Sequence, residues 1–258
     1  YTGVLYPYNL EVFRRRLADA GMEGYDGVFS RASGEFAVEC FKADLEYALR
    51  TPGFGGFQML DLQDYPGQGT ALVGVLDAFM ESKGAVTPKR FREFCAPVVV
   101  LAEFESHCLT RQDTLEVGLL ISNYCEHDWT APLRWSLSAL PQAGCSAAVL
   151  GDGCRGAAFG GRDLVSGEVR AQVPQGDVMT VGHISVPLEK VTAGLPQDAA
   201  LSLLLRLESG DCSNSYRFWA YPTAETLAAS GKPAESVALD EFSASVGTSA
   251  SEPVDSAE

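Results

Sequence analysis

The sequence predicts an α/β segment followed by an all-β segment, with an acidic tail beyond, and three observations carry that prediction. Up to about residue 104, helical patterns alternate with short apolar runs. From about 105 to 222, short runs alternate apolar with polar residues and are separated by Gly, Pro, Asn and Asp at sandwich-like intervals. From Thr223 to Glu258 the chain is rich in Ala, Ser and Glu.

In the first segment, "NLEVFRRRLADAG" opens at the N-cap candidate Asn9, places Leu10, Phe13 and Leu17 on one stripe, and stops at Gly21. A longer helix is expected in "SRASGEFAVECFKADLEYALRTPG", capped at Ser30, with Phe36, Cys40, Leu45 and Leu49 as its apolar side and Thr51-Pro52-Gly53 as its stop. "FQMLDL" has strand length, and "TALVGVLDAFMESKG" reads as an apolar helix. Thr87-Pro88 is an N-cap with proline at the first helical position, opening "KRFREFC". Helix, buried strand and helix in succession is the grammar of a parallel sheet. One convincing buried strand cannot satisfy its own backbone groups on both edges. Residues 1–104 are therefore expected to be the end of a larger α/β domain whose remainder lies upstream of Tyr1.

In the second segment, "TLEVGLLIS", "PLRWSLSAL", "GEVRAQV", "VMTVGHISVPL", "AALSLLLRLE" and "SYRFWAYP" are the strand candidates. "PLRWSLSAL" alternates most cleanly, with Leu133, Trp135 and Leu137 on one face and Arg134, Ser136 and Ser138 on the other. None of these runs requires a crossover helix, so an antiparallel Ig-like sandwich is expected over 105–222. The tail, 223–258, carries seven acidic residues against Lys232, and its last fifteen residues read as disordered.

Charge and composition narrow the partners. A net charge of −15 opposes nucleic-acid binding, which needs clustered Lys and Arg. Arg14, Arg15 and Arg16 form the densest basic run, but on a helix they point three ways. No apolar run reaches membrane-spanning length, so no membrane partner is expected. The seven cysteines form no CxxC pair and mostly sit beside apolar residues, as buried thiols do. Cys95, His107, Cys108, Cys125 and His127 are the one set that could gather around a metal, but their spacing lacks the tight pairs of zinc sites. No metal or other cofactor is expected.

The chemistry concentrates in "GFGGFQMLDLQDYPGQG", Gly53 to Gly69. As a strand, its period places Asp61 and Gln63 on one face and Leu60 and Leu62 on the other, with Asp64, Tyr65 and Gln68 in the outlet loop. In a (β/α)8 barrel, function sits where strands end. Carboxylates and carboxamides there suit a polyhydroxyl ligand, since each can hydrogen-bond several hydroxyls. Asp61 and Asp64 could instead be an acid/base pair, although residues three apart at a strand end diverge. Alternatively, one of them could cap the following helix or accept backbone N–H groups in the Gly67–Gly69 turn.

"KADLEYALRTPGFGGFQMLDLQDYPGQGTALVGVLDAF" resembles the last barrel strand and flanking helices of glycoside hydrolase family 2, the β-galactosidase-like enzymes of polysaccharide-degrading bacteria, closest to a branch of family 2 sugar-binding proteins. "FREFCAPVVVLAEF" continues the resemblance, "NSYRFWAYP" is similar to the closing strand of the Ig-like sandwich after the barrel, and "YTGVLYPYNLEVFRRRL" fits the loop and helix after barrel strand 7. The resemblance implies a (β/α)8 barrel end over 1–104 and a retaining exo-glycosidase acting on plant or algal polysaccharide-derived sugars. It implies that Asp61, Gln63, Asp64, Tyr65 and Gln68 line the sugar pocket. It implies too that the catalytic Glu pair, at the ends of strands 4 and 7, falls before Tyr1, so no residue here is assigned a catalytic role. Leu60 stands where the β-galactosidases place a sugar-lining Trp, while Asp61 keeps the family's Asp. Such enzymes are usually exported. No signal segment is visible, and seven cysteines sit awkwardly with an oxidising compartment, so localisation stays open. The rival reading is a non-catalytic carbohydrate-binding or scaffold module presenting Trp129, Trp135 or Trp219 to sugar, with Trp129 the one in a polar loop.

Overall fold

A computed structural model describes residues 6, 8–65, 67, 72–140 and 162–230. Its centre is a sandwich of two sheets. The strands are β1 (Val98–Glu103), β2 (Cys108–Thr110), β3 (Thr114–Asn123), β4 (Leu133–Ala139), β5 (Arg162–Val169), β6 (Asp177–Pro187), β7 (Leu201–Ser209) and β8 (Cys212–Tyr221). One sheet runs β1-β3-β6 and the other β2-β8-β7-β4-β5. The strands follow the expected alternation. On β7, Leu201, Leu203, Leu205 and Leu207 turn inward, and on β8 Asn214, Tyr216, Phe218 and Ala220 do. Facing them from β3 are Leu115, Val117, Leu119 and Ile121, and these two inner faces form one core. The β7–β8 hairpin closes on Gly210-Asp211, with Gly210 at φ +57°, the left-handed geometry a two-residue turn needs.

Two expectations about this region change. The sandwich starts before residue 105, because β1 pairs antiparallel with β3 from Val98↔Asn123 to Glu103↔Gly118. An all-apolar run reads equally as a parallel-sheet strand or a sandwich strand, and β1 is apolar throughout because its outer face is also covered: Val99 and Leu101 pack with Leu120, Val178 and Leu49. The sheets are also not purely antiparallel, since β2 pairs parallel with β8.

The helical part differs more. Helix α1 spans Tyr8–Asp19, so Asn9 lies inside it rather than capping it. Helix α2 runs Asp26–Arg50, starting four residues before Ser30. Its buried face is Val38, Lys42, Leu45 and Glu46, whereas Phe36 is 71% exposed and Cys40 is exposed. The apolar stripe is therefore rotated from the one expected, because two charged residues face the sandwich. Helix α3, Pro88–Arg92, is capped as expected: Thr87 Oγ1 accepts from Arg90 N at 3.2 Å. The short helix α4 (Leu188–Val191) follows β6, and Ala224–Ser230 forms helix α5 at the start of the predicted tail. Residues 231–258 lie outside the described set. No helix among the described residues is long and apolar enough to cross a membrane.

Neither "FQMLDL" nor the described part of "TALVGVLDAFMESKG" forms the predicted element, and no closed barrel exists among the described residues. The reason is visible in where the backbone bonds go. Asp64 N donates to the Leu76 carbonyl and Leu76 N to the Leu62 carbonyl, both at 3.0 Å, so Leu76 serves a cross-chain bridge instead of a helix turn. Asp77 Oδ1 then accepts from Phe79 N at 2.8 Å and Glu81 N at 2.9 Å, folding an Asx-type turn where the helix was expected. Phe57 to Leu62 has no strand neighbour among the described residues, so it stays irregular.

What joins the two parts is a buried polar cluster at the β1 edge. An edge strand exposes unpaired N–H and C=O groups. Here side chains satisfy them: Ala102 N donates to the Tyr216 hydroxyl at 3.1 Å, Asn214 Nδ2 to the Val100 carbonyl at 2.9 Å, and Arg50 Nη1 to the Ala102 carbonyl at 3.2 Å. Glu46 sits among them, accepting from Lys42 at 2.5 Å, Asn214 at 2.8 Å and Arg50 at 3.4 Å. The Lys42 ammonium also lies 3.8 Å from the Tyr216 ring centroid. Arg90 on α3 adds a second tie, reaching Glu39 on α2 at 2.8 Å and Ser215 Oγ on β8 at 3.2 Å.

This cluster gives a pH prediction. Burial, with Glu46 adding to it, holds the Tyr216 phenol well above its usual pKa. Its neutral form thus favours the fold fully below the unfolded value near 10, and that contribution is lost as pH rises through the higher folded value. Lys42 is shifted the other way: burial lowers it despite Glu46, so its penalty is relieved as pH climbs to about 10.5. The raised Cys95 and Cys212 thiols give up stability from about pH 9 in the same way. Urea midpoints measured from pH 8 to 11.5 should therefore fall toward the alkaline end, with Tyr216 contributing to the loss above about pH 10. Tyr216→Phe should flatten that decline and, by stranding the Ala102 N–H, destabilise the protein at pH 8 by about 1–3 kcal/mol.

Candidate functional site

The polar stretch predicted from sequence folds as a compact knot mounted on α2. Met59 and Leu76 pack with Val38, Leu45, Val75 and Phe94. The backbone is tied by a parallel Gln63–Leu76 bridge and then doubles back through the antiparallel Leu76–Ser82 bridge. Gly74 makes this possible, because a Cβ there would lie 2.5 Å from Asp64 N and closer still to the Gln63 carbonyl carbon.

Asp64 is the lock of this knot. It is buried, and its Oδ1 accepts from Gly74 N at 3.0 Å and from Lys83 Nζ at 2.9 Å, while Oδ2 lies 3.1 Å from the same ammonium. Lys83 also donates to the Leu72 carbonyl at 3.1 Å. Asp64 thus accepts a backbone N–H, but from Gly74, beyond the expected Gly67–Gly69 turn, and an ion pair is added. Sequence reasoning missed Lys83, for no local signal links residues nineteen apart.

The other named residues are disposed differently. Gln63 and Tyr65 flank Asp64 and are exposed, Tyr65 by 55%. Asp61 is half-buried and makes no ion pair with a described residue. Leu60 is 81% exposed. Gln68 lies outside the described residues. Phe54, Phe57, Leu62 and Phe79 add exposed apolar surface around the knot. The result is a polar outlet held by a buried ion pair, with one unpaired carboxylate, one carboxamide and one phenol presented outward. Such groups can hydrogen-bond hydroxyls, while Asp64 is engaged by Lys83.

The tryptophans are occupied structurally. Trp129 Nε1 donates to Ser209 Oγ at 2.9 Å, and the ring packs against the core beside Gly210. Trp135 packs on the same core. Trp219 meets the edge of His107, whose Nδ1 is 2.7 Å from the Arg217 carbonyl. Of the five Cys and His residues considered for a metal, Cys125 and His127 lie 3.9 Å apart from Sγ to Nδ1. Cys95 is instead packed beside Phe94 and Phe91 in the helical cluster. Among the described residues, no three His, Cys, Asp or Glu side chains are grouped to hold a metal.

What these residues define is a two-sheet sandwich carrying a helical segment and a polar outlet. Comparison with known proteins adds one family: a profile described as "Domain of unknown function (DUF8488)" matches residues 158–222, the part of the sandwich from β5 to β8. No curated protein matches the chain. Among solved structures, a red sea bream transglutaminase aligns at 7% identity and TM-score 0.33, over 54% of this chain and 17% of that one. A Paenibacillus cycloisomaltooligosaccharide glucanotransferase aligns at 8% identity and TM-score 0.31, over 48% of this chain and 13% of that one. An E. coli α-2-macroglobulin aligns at 13% identity and TM-score 0.32, over 49% and 8%. The chain thus spans less than a fifth of the length of each, and likeness at this level carries no argument about function.

Proposed function

We propose that this chain is part of a retaining exo-glycosidase of the β-galactosidase-like family 2 kind, in which the 57–65 stretch, irregular in this chain, takes the place of the eighth barrel strand and its outlet beside the remainder of the barrel, and the sandwich is the following Ig-like domain. Its role is to supply one rim of the sugar pocket, while the catalytic Glu pair belongs to the remainder of the barrel. The observation that supports this most is the division of labour in the outlet: Asp64 is neutralised by Lys83, which holds the loop, while Asp61, Gln63 and Tyr65 stay available. A retaining glycosidase needs two carboxyl groups about 5 Å apart across the sugar, and the single unpaired carboxylate of this outlet fits a binding role. The exposed aromatic side chains on α2 and the outlet, Phe36, Tyr47, Phe54 and Phe57, fit a segment that packs within a larger body. A carbohydrate-binding module that stacks sugar on tryptophan is disfavoured, because Trp129 is pinned between Ser209 and the core.

The reading frame upstream of Tyr1 tests the assignment. It should encode a stretch of barrel strand 7 ending in a Glu shortly before this chain, and its absence would rule the glycosidase reading out. The chain by itself should release no nitrophenol from aryl β-glycosides. Turnover that disappears in Asp61→Asn would reveal a complete active site within these residues.

A further inference from the structure

We propose that Cys125 and Cys212 are a disulfide-forming pair that staples the two sheets together under oxidising conditions. The placement follows from strand parity and register. On β3 the odd-numbered residues from Leu115 to Ile121 face the core, and Cys125 continues that parity just past Asn123. On β8 the even-numbered residues face the same core, and Cys212 begins that series. Asn214 and Tyr216 bond Val100 and Ala102 respectively, which puts Cys212 level with Val98, and Val98 is the register partner of Asn123. Both cysteines therefore enter the inter-sheet space at the same end of the sandwich, and both pack against its core from partly buried positions.

The surrounding bonds fix the two backbones beside each other. Trp129, in the loop after Cys125, donates to Ser209, and Ser209 Oγ donates to the Ala131 carbonyl at 2.9 Å, so this loop lies on the β7–β8 hairpin that carries Cys212. Asn123 clamps the loop from inside: its Oδ1 accepts from Cys125 N at 3.1 Å and its Nδ2 donates to the His127 carbonyl at 3.0 Å. The nearness has an electrostatic trace, since the Cys212 thiol is raised first by burial and then by Asp211 and Cys125.

Cys125 Sγ donates to the His127 carbonyl at 3.2 Å and lies 3.9 Å from His127 Nδ1, so hydrogen bonding holds this thiol in place at the end of the sandwich. With a small-molecule disulfide such as oxidised glutathione as oxidant, one of the two protein thiolates attacks a glutathione sulfur and expels a glutathione thiolate. The other then attacks the protein sulfur of that mixed disulfide and expels the second. Two protein thiols are oxidised, two glutathione thiols are produced, and the protons pass to them.

The test is non-reducing peptide mapping of the full chain after equilibration in oxidised or reduced glutathione. A Cys125–Cys212 cross-linked peptide is expected only in the oxidised sample, with two fewer alkylatable thiols per chain and a thermal midpoint higher by about 5 °C or more. Cys125→Ser and Cys212→Ser should each abolish the rise, while Cys40→Ser should leave it intact. If a serine variant fails to fold, the wild-type peptide map still decides. The proposal is overturned if both thiols remain alkylatable in oxidised glutathione, if Cys125 bonds a different cysteine, or if glutathione stays on Cys125 while Cys212 remains free. The outcome is independent of the glycosidase reading, because it concerns the sandwich alone.

Discussion

Glu46→Ala is expected to destabilise the protein by about 3–5 kcal/mol, the range for removing one partner of a buried ion pair. The side chains of Lys42 and Glu46 are only 6% and 4% exposed, so the orphaned ammonium cannot be rehydrated without prying α2 from the sandwich. Asn214 and Arg50 lose an acceptor in the same step. Glu46→Gln keeps an acceptor for Asn214 while losing the charge, and should fall between alanine and wild type in urea denaturation. Glu116→Ala is the contrasting control: Glu116 accepts from Ser185 at 2.5 Å and approaches His183 at 2.8 Å, but on the exposed face of the sandwich. Its midpoint should not move beyond error. If Glu46→Ala behaved like Glu116→Ala, the polar cluster would not be what holds α2 to the β1 edge.

Gly74→Ala is expected to have the second-largest effect, about 3 kcal/mol, confined to the outlet knot. The added methyl meets backbone atoms of Gln63 and Asp64, which cannot rotate away as a side chain would. Relieving the clash separates residues 63–64 from 74–76 and removes the Gly74 N–H and Leu76 carbonyl from their partners. Hydrogen exchange at the amides of Asp64, Gly74 and Leu76 should accelerate strongly, while amides of β7 and β8 keep wild-type protection. Uniform acceleration across the sandwich would mean that the knot and the sandwich unfold as one unit.

The sandwich was legible because its strands alternate. "PLRWSLSAL" and "AALSLLLRLE" turn apolar residues inward at every second position, and a period of two has one reading. The Thr87-Pro88 cap was legible for a local reason as well, since the bonds it makes are within three residues. What was misread depends on distant partners. The buried face of α2 includes Lys42 and Glu46, which no apolar pattern can select, and they face inward because Asn214 and Tyr216 await them. The segment after Gly69 looks helical by composition, but Leu76 gives its backbone bonds to Leu62 and Asp64. In the candidate site, the polar character of Asp61, Gln63 and Tyr65 was readable, whereas the locking role of Asp64 required Lys83 and Gly74 to be seen beside it.

The claim that residues 61–65 form a sugar-binding rim rather than a catalytic one is tested most directly by steady-state kinetics. The substrate is an aryl β-galactoside, and the enzymes are the full reading frame that includes this chain and its Asp61→Asn variant. Loss of a hydrogen bond to a sugar hydroxyl should reduce kcat/KM about 10- to 100-fold, mainly through KM, and retention of anomeric configuration should persist. Kinetics identical to wild type, or a collapse of kcat with KM unchanged, would contradict the assignment.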